Sequence, residues 1–412
     1  GMANLEYDIP ITPQTIFHVA SVSKQFTAFS IYLLENQGKI SFEDDIRKYI
    51  PEVPNFGKPI TIKHLLYHTS GLKDQWALLT LAGWRMDDVI TTKQIKLVSQ
   101  QKELNFPTGT QFKYSNTGYT LLAEIVKKVS GQTFSEFTEE NIFQPLAMKN
   151  TQFYDDHEKL VKNRAYSYGQ ENGVFKKRTL SYSNVGATSL FTTVEDLAEW
   201  SMNFEKPIVG DSELIEKFNE PAKLDNGKPV IMGIIDGETI YHAKGQFFRN
   251  YRGLSLFNHT GGDAGYRTYL ARFPDNRFSV IALSNDESFV SLKAGLDIAE
   301  FYLKDDLKRK ITDNNQSSEH NSIEPFNSDL TEFEGEYYNP ELTTTYRLKF
   351  KDNKLIMSHR RLSDIELTQI GKDKFSGINT FGFEMEFLRT GQKVVGFEIS
   401  NFGAKKVKFG RK

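Results

Sequence analysis

Phe17-His18-Val19-Ala20-Ser21-Val22-Ser23-Lys24 is the stretch from which the rest of the chain can be ordered. A helix signal starts at Ser21: Val22, Phe26, Phe29 and Leu33 recur at helical spacing, and Gly38 supplies a stop. Positions three apart share a helix face, so Lys24 stands one turn above the Ser21 hydroxyl. The start of a helix favours negative charge developing near Ser21. A neutral Lys24 takes the hydroxyl proton, whereas a charged one holds a neighbouring base in its ionised form. Ser21 is therefore the candidate nucleophile. Two other Ser-x-x-Lys spacings exist, Ser70…Lys73 and Ser99…Lys102. Ser70 lies in the turn His68-Thr69-Ser70-Gly71 and Ser99 in the polar run Ser99-Gln100-Gln101-Lys102, so neither opens an apolar helix.

Downstream, Tyr114-Ser115-Asn116 precedes a second helical pattern, in which Leu121, Leu122, Ile125 and Val129 line one face and Gly131 ends it. A Tyr114 hydroxyl near Ser21 acts as general base only if its pKa falls well below its usual value near 10, and an adjacent Lys24 cation would lower it. Asn116 is placed to donate to a substrate amide carbonyl and to Lys24. Tyr182-Ser183-Asn184 is a rival, but it sits beside Gly186 in an irregular loop, whereas Phe106-Pro107-Thr108-Gly109 leads into Tyr114. The third pattern is His259-Thr260-Gly261-Gly262, following the strand signal at Leu256-Phe257. A strand edge followed by glycines lets a substrate backbone approach closely. The N–H groups of Ser21 and Gly262 could form an oxyanion hole.

From Leu254 to Leu283 the pattern is β-type: Tyr266–Phe273 and Phe278–Leu283 flank a Pro274-Asp275-Asn276 turn, and Leu292, Leu296, Ala299 and Leu303 mark a helix. Residues 306–328 read as a linker, with Asn314-Asn315-Gln316-Ser317-Ser318 at the centre. After it the period becomes two: Tyr346, Leu348 and Phe350; Ile365 and Leu367; Phe381, Phe383, Met385 and Phe387; Val395, Phe397 and Ile399; Val407 and Phe409. Short alternating strands with regular turns imply a small antiparallel barrel or sandwich with a filled core. The boundaries that follow are 1–305, a linker at 306–328, and 329–412.

Composition narrows the classes. A chain of 412 residues suggests two domains. A net charge of −2 gives no bulk basic surface, so nucleic acid is not an expected partner. No run of about eighteen apolar residues is present, so no integral membrane segment is expected. The absence of cysteine removes disulfides, thiol nucleophiles and cysteine-bound metals. His64 and His68 have a four-residue spacing, but no Glu follows His64 and Thr69-Ser70-Gly71 ends any helix, so neither a metal site nor a cofactor is expected.

A serine–lysine pair near the start, Tyr-x-Asn about ninety residues later and a His-x-Gly edge near the domain end form a known layout. In this the chain resembles the family of class C β-lactamases, penicillin-binding proteins, esterases and D-aminopeptidases, from about Ala3 to Asp305. Phe17-His18-Val19-Ala20-Ser21, His64-Leu65-Leu66-Tyr67-His68-Thr69-Ser70-Gly71-Leu72 and Pro145-Leu146-Ala147-Met148 are similar to stretches of that family. The resemblance implies an α+β fold, an antiparallel sheet flanked by helices, followed by a lipocalin-like β-barrel. It implies acylation at Ser21, proton transfer shared by Lys24 and Tyr114, and substrate held by Asn116 and by His259, Thr260 and Gly261. It also implies a small-molecule or peptide substrate and an exported or periplasmic residence. Family β-lactamases usually carry lysine where His259 stands. A mostly neutral histidine grips a substrate carboxylate less well, which favours esters, amides or D-amino-acid peptides over efficient β-lactam hydrolysis. A catalytically silent peptide- or peptidoglycan-binding module is the alternative. Members of the family usually carry a helix and a β-hairpin before the segment at Ala3-Asn4-Leu5-Glu6-Tyr7. The expectation is then an exposed edge at Phe278–Leu283 and possible self-association.

Overall fold

The computed structural model describes residues 1–98, 101–308 and 329–412. Ser99 and nearly all of the expected linker lie outside the described residues.

The alternating run after residue 230 folds into one antiparallel sheet of six strands in sequence order: β1 (Ile231–Ile235), β2 (Glu238–Ala243), β3 (Gln246–Tyr251), β4 (Leu254–Asp263), β5 (Tyr266–Phe273) and β6 (Phe278–Ser284). Period two sends neighbouring side chains to opposite faces. Thus Leu270 joins the main helical core, while Tyr269, Ala271 and Phe273 pack with Val280, Ala299 and Leu303 on the other side. Four helices organise the rest: α1 (Ser23–Asn36), α2 (Gln75–Leu81), α3 (Asn116–Ser130) and α4 (Ser291–Tyr302). Helix α4 covers β5 and β6, and α1 and α3 pack together in the main core. Helix α1 is buried from Ser23 to Leu34, with the polar side chains of Lys24, Gln25, Thr27 and Ser30 taken inside beside its apolar ones. Gly38 and Gly131 take the left-handed conformation that stops α1 and α3.

The C-terminal strands close into an eight-stranded antiparallel barrel: β7 (Gly335–Asn339), β8 (Thr344–Lys351), β9 (Lys354–His359), β10 (Leu362–Gln369), β11 (Lys374–Ile378), β12 (Gly382–Thr390), β13 (Lys393–Asn401) and β14 (Val407–Arg411), with β7 pairing β14. Eight strands leave room for little but side chains. Tyr337, Tyr346, Leu348, Leu355, Met357, Phe375, Met385, Phe397, Ile399 and Phe409 fill it. Phe350 is only half-buried, and two further expected inward residues are not inside. A register shift at Leu388/Arg389 turns Val394 inward and leaves Val395 exposed, and Phe381 precedes β12 and stacks on Phe402 outside the barrel interior.

Strand β6 hydrogen-bonds only to β5 among the described residues, so it is an edge, with Phe278, Ile281 and Leu283 half-buried. No helix among the described residues is long and apolar enough to cross a membrane.

Candidate active site

Ser21 lies two residues before the first residue of α1 rather than opening the helix itself. A single 3-10 turn, Ala20–Val22, leads into α1. Ala20 holds φ at +47°, a left-handed conformation that costs a non-glycine residue about 1 kcal/mol or more. The turn packs against β4 and leaves Ser21 half-buried between that strand and the helical layer. Here β4 passes so close that a Cβ on Gly261 would overlap the Val19 carbonyl, which explains the glycine.

Lys24 is wholly buried one turn on. Its Nζ donates to the Ser21 Oγ at 3.1 Å and to the Ala187 carbonyl at 2.6 Å. Burial pushes its pKa down to about 7, against the opposing pull of the Asp263 and Asp74 carboxylates. A substantial neutral fraction therefore exists at neutral pH, with its lone pair beside the serine hydroxyl. Tyr114 joins this pair. Its ring centroid lies 5.0 Å from Lys24 Nζ, and its hydroxyl hydrogen-bonds with Ser21. The expected acidification of Tyr114 does not occur. Burial pushes its pKa upward, the Ser21 hydrogen bond opposes that only in part, and Asp74 and Asp263 add to the rise. The phenol stays protonated and is a donor.

His259 is buried, stacked on Phe247 with centroids 4.6 Å apart, and its Nδ1–H donates to the Thr260 carbonyl at 2.6 Å. Burial, then the Lys24 charge, lowers its pKa to about 3. The ring is neutral, and Nε2 has no partner among the described residues. Pairing of β3 with β4 stops at Phe247–Asn258, which leaves that edge of His259–Asp263 without a strand partner among the described residues. Thr260 is half-buried and Gly262 exposed on this edge.

Asn116 differs from expectation. Its backbone N–H and its Nδ2 both donate to Asp74 Oδ2, at 2.6 and 2.9 Å, rather than to Lys24. Asp74 is fully buried and caps α2, so it draws the nearest donors. An ionised carboxylate can only accept hydrogen bonds, which fixes the carboxamide with its nitrogen on Asp74.

The rival motifs are scaffold. Ser70 accepts from the Leu72 N–H, and Lys73 Nζ donates to the Glu103 carbonyl. Tyr182 is buried against Trp76. His64 bonds Thr61 and Asp225, and no group of three or more potential metal ligands occurs among the described residues.

Several residues that the sequence does not assign to the site stand beside it. His68 stacks on Tyr114 at 4.4 Å and accepts the Ser115 N–H on Nδ1 at 3.1 Å. His242 packs 4.8 Å from His68, with its pKa lowered to about 3 by burial. Asp263 accepts from the Thr188 hydroxyl, and burial raises its pKa to about 6.

The Beta-lactamase family model matches residues 1–301. Penicillin-binding protein 4* of Bacillus subtilis (strain 168) is 30% identical over 303 residues, 70% of this chain and 64% of that protein. A D-aminopeptidase of Gluconobacter oxydans (strain 621H) is 23% identical over 290 residues, 70% of this chain and 53% of that protein. The chain thus spans between about half and two-thirds of these relatives' length. In fold it is similar to the octameric penicillin-binding protein homologue from Pyrococcus abyssi, with a TM-score of 0.66, 23% identity, and coverage of 99% of this chain and 91% of that one.

Proposed function

Since the chain belongs to the Beta-lactamase family, we propose that it is a serine hydrolase working through an acyl ester on Ser21. The reading rests on one observation: Lys24 Nζ lies 3.1 Å from Ser21 Oγ with its pKa brought to about 7. Neutral Lys24 accepts the Ser21 proton as Oγ bonds to the substrate carbonyl carbon. The N–H groups of Ser21 and Gly262 hold the oxyanion that forms. The Tyr114 hydroxyl donates its proton to the leaving oxygen or nitrogen, and the Lys24 ammonium returns one to the phenol. Water then attacks the ester, the same groups move the protons in reverse, and the acid is released. Asn116 and the His259–Gly261 edge orient the substrate.

The substrate is a small ester, an amide, or a peptide with D-configured residues. With His259 uncharged and Lys24 near half-charged, little in the site attracts a carboxylate, so efficient β-lactam turnover is not expected.

A fluorophosphonate probe followed by intact mass tests the chemistry. One adduct is expected, absent from Ser21→Ala. A surviving adduct in Ser21→Ala would refute the assignment. No adduct, and no turnover of p-nitrophenyl esters, D-amino acid amides or nitrocefin, would return the chain to a silent binding module.

A further inference from the structure

The barrel touches the hydrolase part at a point that leads directly to the cleft. Its Asn401–Ala404 turn is tightened by Asn401 Oδ1, which accepts the N–H groups of Gly403 and Ala404 at 3.2 and 2.8 Å. The Gly403 carbonyl accepts the Asp74 backbone N–H at 2.8 Å and the Asn105 Nδ2 at 3.0 Å. Asn105 Oδ1 in turn accepts the Lys405 N–H at 2.7 Å. A Cβ on Gly403 would overlap the Asp74 side chain and crowd Ala77, and its φ lies outside the left-handed region, so glycine serves close approach here and not a turn conformation. Ala404 is fully buried in the cluster that Ala77, Leu78 and Leu81 of α2 share with the barrel interior.

The far side of the same segment holds the site. Asp74 Oδ2 takes the Asn116 N–H and Nδ2, the Lys73 carbonyl accepts from the Thr117 hydroxyl at 2.8 Å, and Gln75 Oε1 accepts from the Thr120 hydroxyl at 2.9 Å. Three consecutive residues therefore suspend the start of α3. Tyr114 stands just before it, between the Lys113 N–H bound to the His68 carbonyl and the Ser115 N–H bound to the His68 ring, and the next N–H, that of Asn116, is bound to Asp74.

We propose that Asp74 is a positioning residue and that the barrel, bearing on it through Gly403, sets the placement of Tyr114 and Asn116 against Ser21. This inference rests on the hydrolase reading above for its consequence in rate, but not for the coupling itself. The barrel then acts as a buttress of the cleft wall, and its removal loosens the proton donor without touching substrate.

The experiment uses the full chain carrying Gly403→Val, with Asn105→Ala as a milder variant that keeps the packing and Phe402→Ala as a control on the same turn. Hydrogen exchange of the peptide spanning 112–120 is expected to quicken in Gly403→Val and, less, in Asn105→Ala, and to stay unchanged in Phe402→Ala. Fluorophosphonate labelling of Ser21 is expected to slow about ten- to a hundredfold in Gly403→Val, the range that a misplacement near 1 Å brings. For a small ester, kcat is expected to fall further than KM rises, because the proton donor Tyr114 and the substrate-orienting Asn116 are displaced together. Unchanged exchange in both Gly403→Val and Asn105→Ala overturns the coupling, as does an equal effect of Phe402→Ala. A wild-type protein that Ser21 probes do not label defeats the hydrolase reading instead, and exchange still judges the coupling.

Discussion

Two interiors lie side by side in this chain and bury opposite things. Inside the barrel, Phe333, Tyr337, Leu348, Met357, Phe375, Phe397 and Phe409 pack almost entirely carbon against carbon. Around Ser21, the equally buried side chains include Lys24, His68, Asp74, His242 and His259. Burying an ionisable group costs free energy unless it is paired or gives up its charge. The barrel meets that cost at few places, among them the Tyr346 hydroxyl and the His359 ring. The cleft accepts it, and the result is a lysine near pKa 7, neutral histidines and a protonated phenol beside one hydroxyl. The stabilising core and the reactive pocket are thus separate places, joined through α2, whose Ala77, Leu78 and Leu81 belong to the barrel cluster while its cap, Asp74, belongs to the cleft.

The largest expected effect breaks the cleft side. Lys24→Met keeps the length of the side chain and removes the base, so Ser21 acylation should fall by about two to four orders of magnitude. Its pH dependence carries a definite sign. Lys24 is charged below about pH 7 and neutral above it, because burial lowers its pKa. The labelling rate of the wild type should climb about tenfold per pH unit below that value and level off above it. A rate independent of pH between 5 and 9 would assign the base elsewhere.

The barrel side should break differently. Phe397 is fully buried and packs against Tyr337, Phe387 and Phe409. Phe397→Ala should cost the barrel about 3–5 kcal/mol, through lost burial and the cavity left behind. The same truncation places no charge or polar gap in the cleft. Thermal unfolding should show the loss, and the pH midpoint of labelling should stay near 7 even if the rate drops. A shifted midpoint would mean that the two interiors are not electrostatically separate.

How far these regions could be read in advance follows from the same contrast. Regular burial of carbon leaves a period in the sequence: 3.6 for Val22, Phe26 and Phe29, and two for Tyr346 and Leu348 or Met385 and Phe387. Phase is less secure than period, since one register shift exchanged Val394 for Val395. The cleft has no period. Lys24 and Ser21 were legible because helix geometry joins them locally, and Tyr114 because its motif lies at a familiar distance along the chain. The Ala187 carbonyl on Lys24, the Asp74 carboxylate on Asn116 and the ring of His68 against Tyr114 join residues 42 to 163 positions apart. Such partners depend on the finished fold. The upward pKa of Tyr114 was hidden for a related reason: it comes first from burial of the phenol, which only the finished fold decides.

The smallest expected effect sharpens the electrostatic half of the comparison. His259 offers a neutral ring where a lysine would place a cation, and its stacking on Phe247 occupies a space that an alkyl stem can also fill. His259→Lys should therefore raise acylation by a penicillin, whose carboxylate is charged, relative to acylation by neutral p-nitrophenyl acetate. Two unit charges near 4 Å interact by about 1 kcal/mol in water and more in a partly dry cleft, so the ratio should move about five- to tenfold. The gain should shrink as salt rises, because the cleft is open enough for substrate to enter. The new cation should also push Lys24 further down and shift the pH midpoint of labelling below about 7, since like charges disfavour each other. A ratio that does not move, with the midpoint lowered as expected, would mean that the lysine charge forms but that the carboxylate of the substrate does not lie beside residue 259. The edge strand would then have to be assigned to the substrate backbone alone.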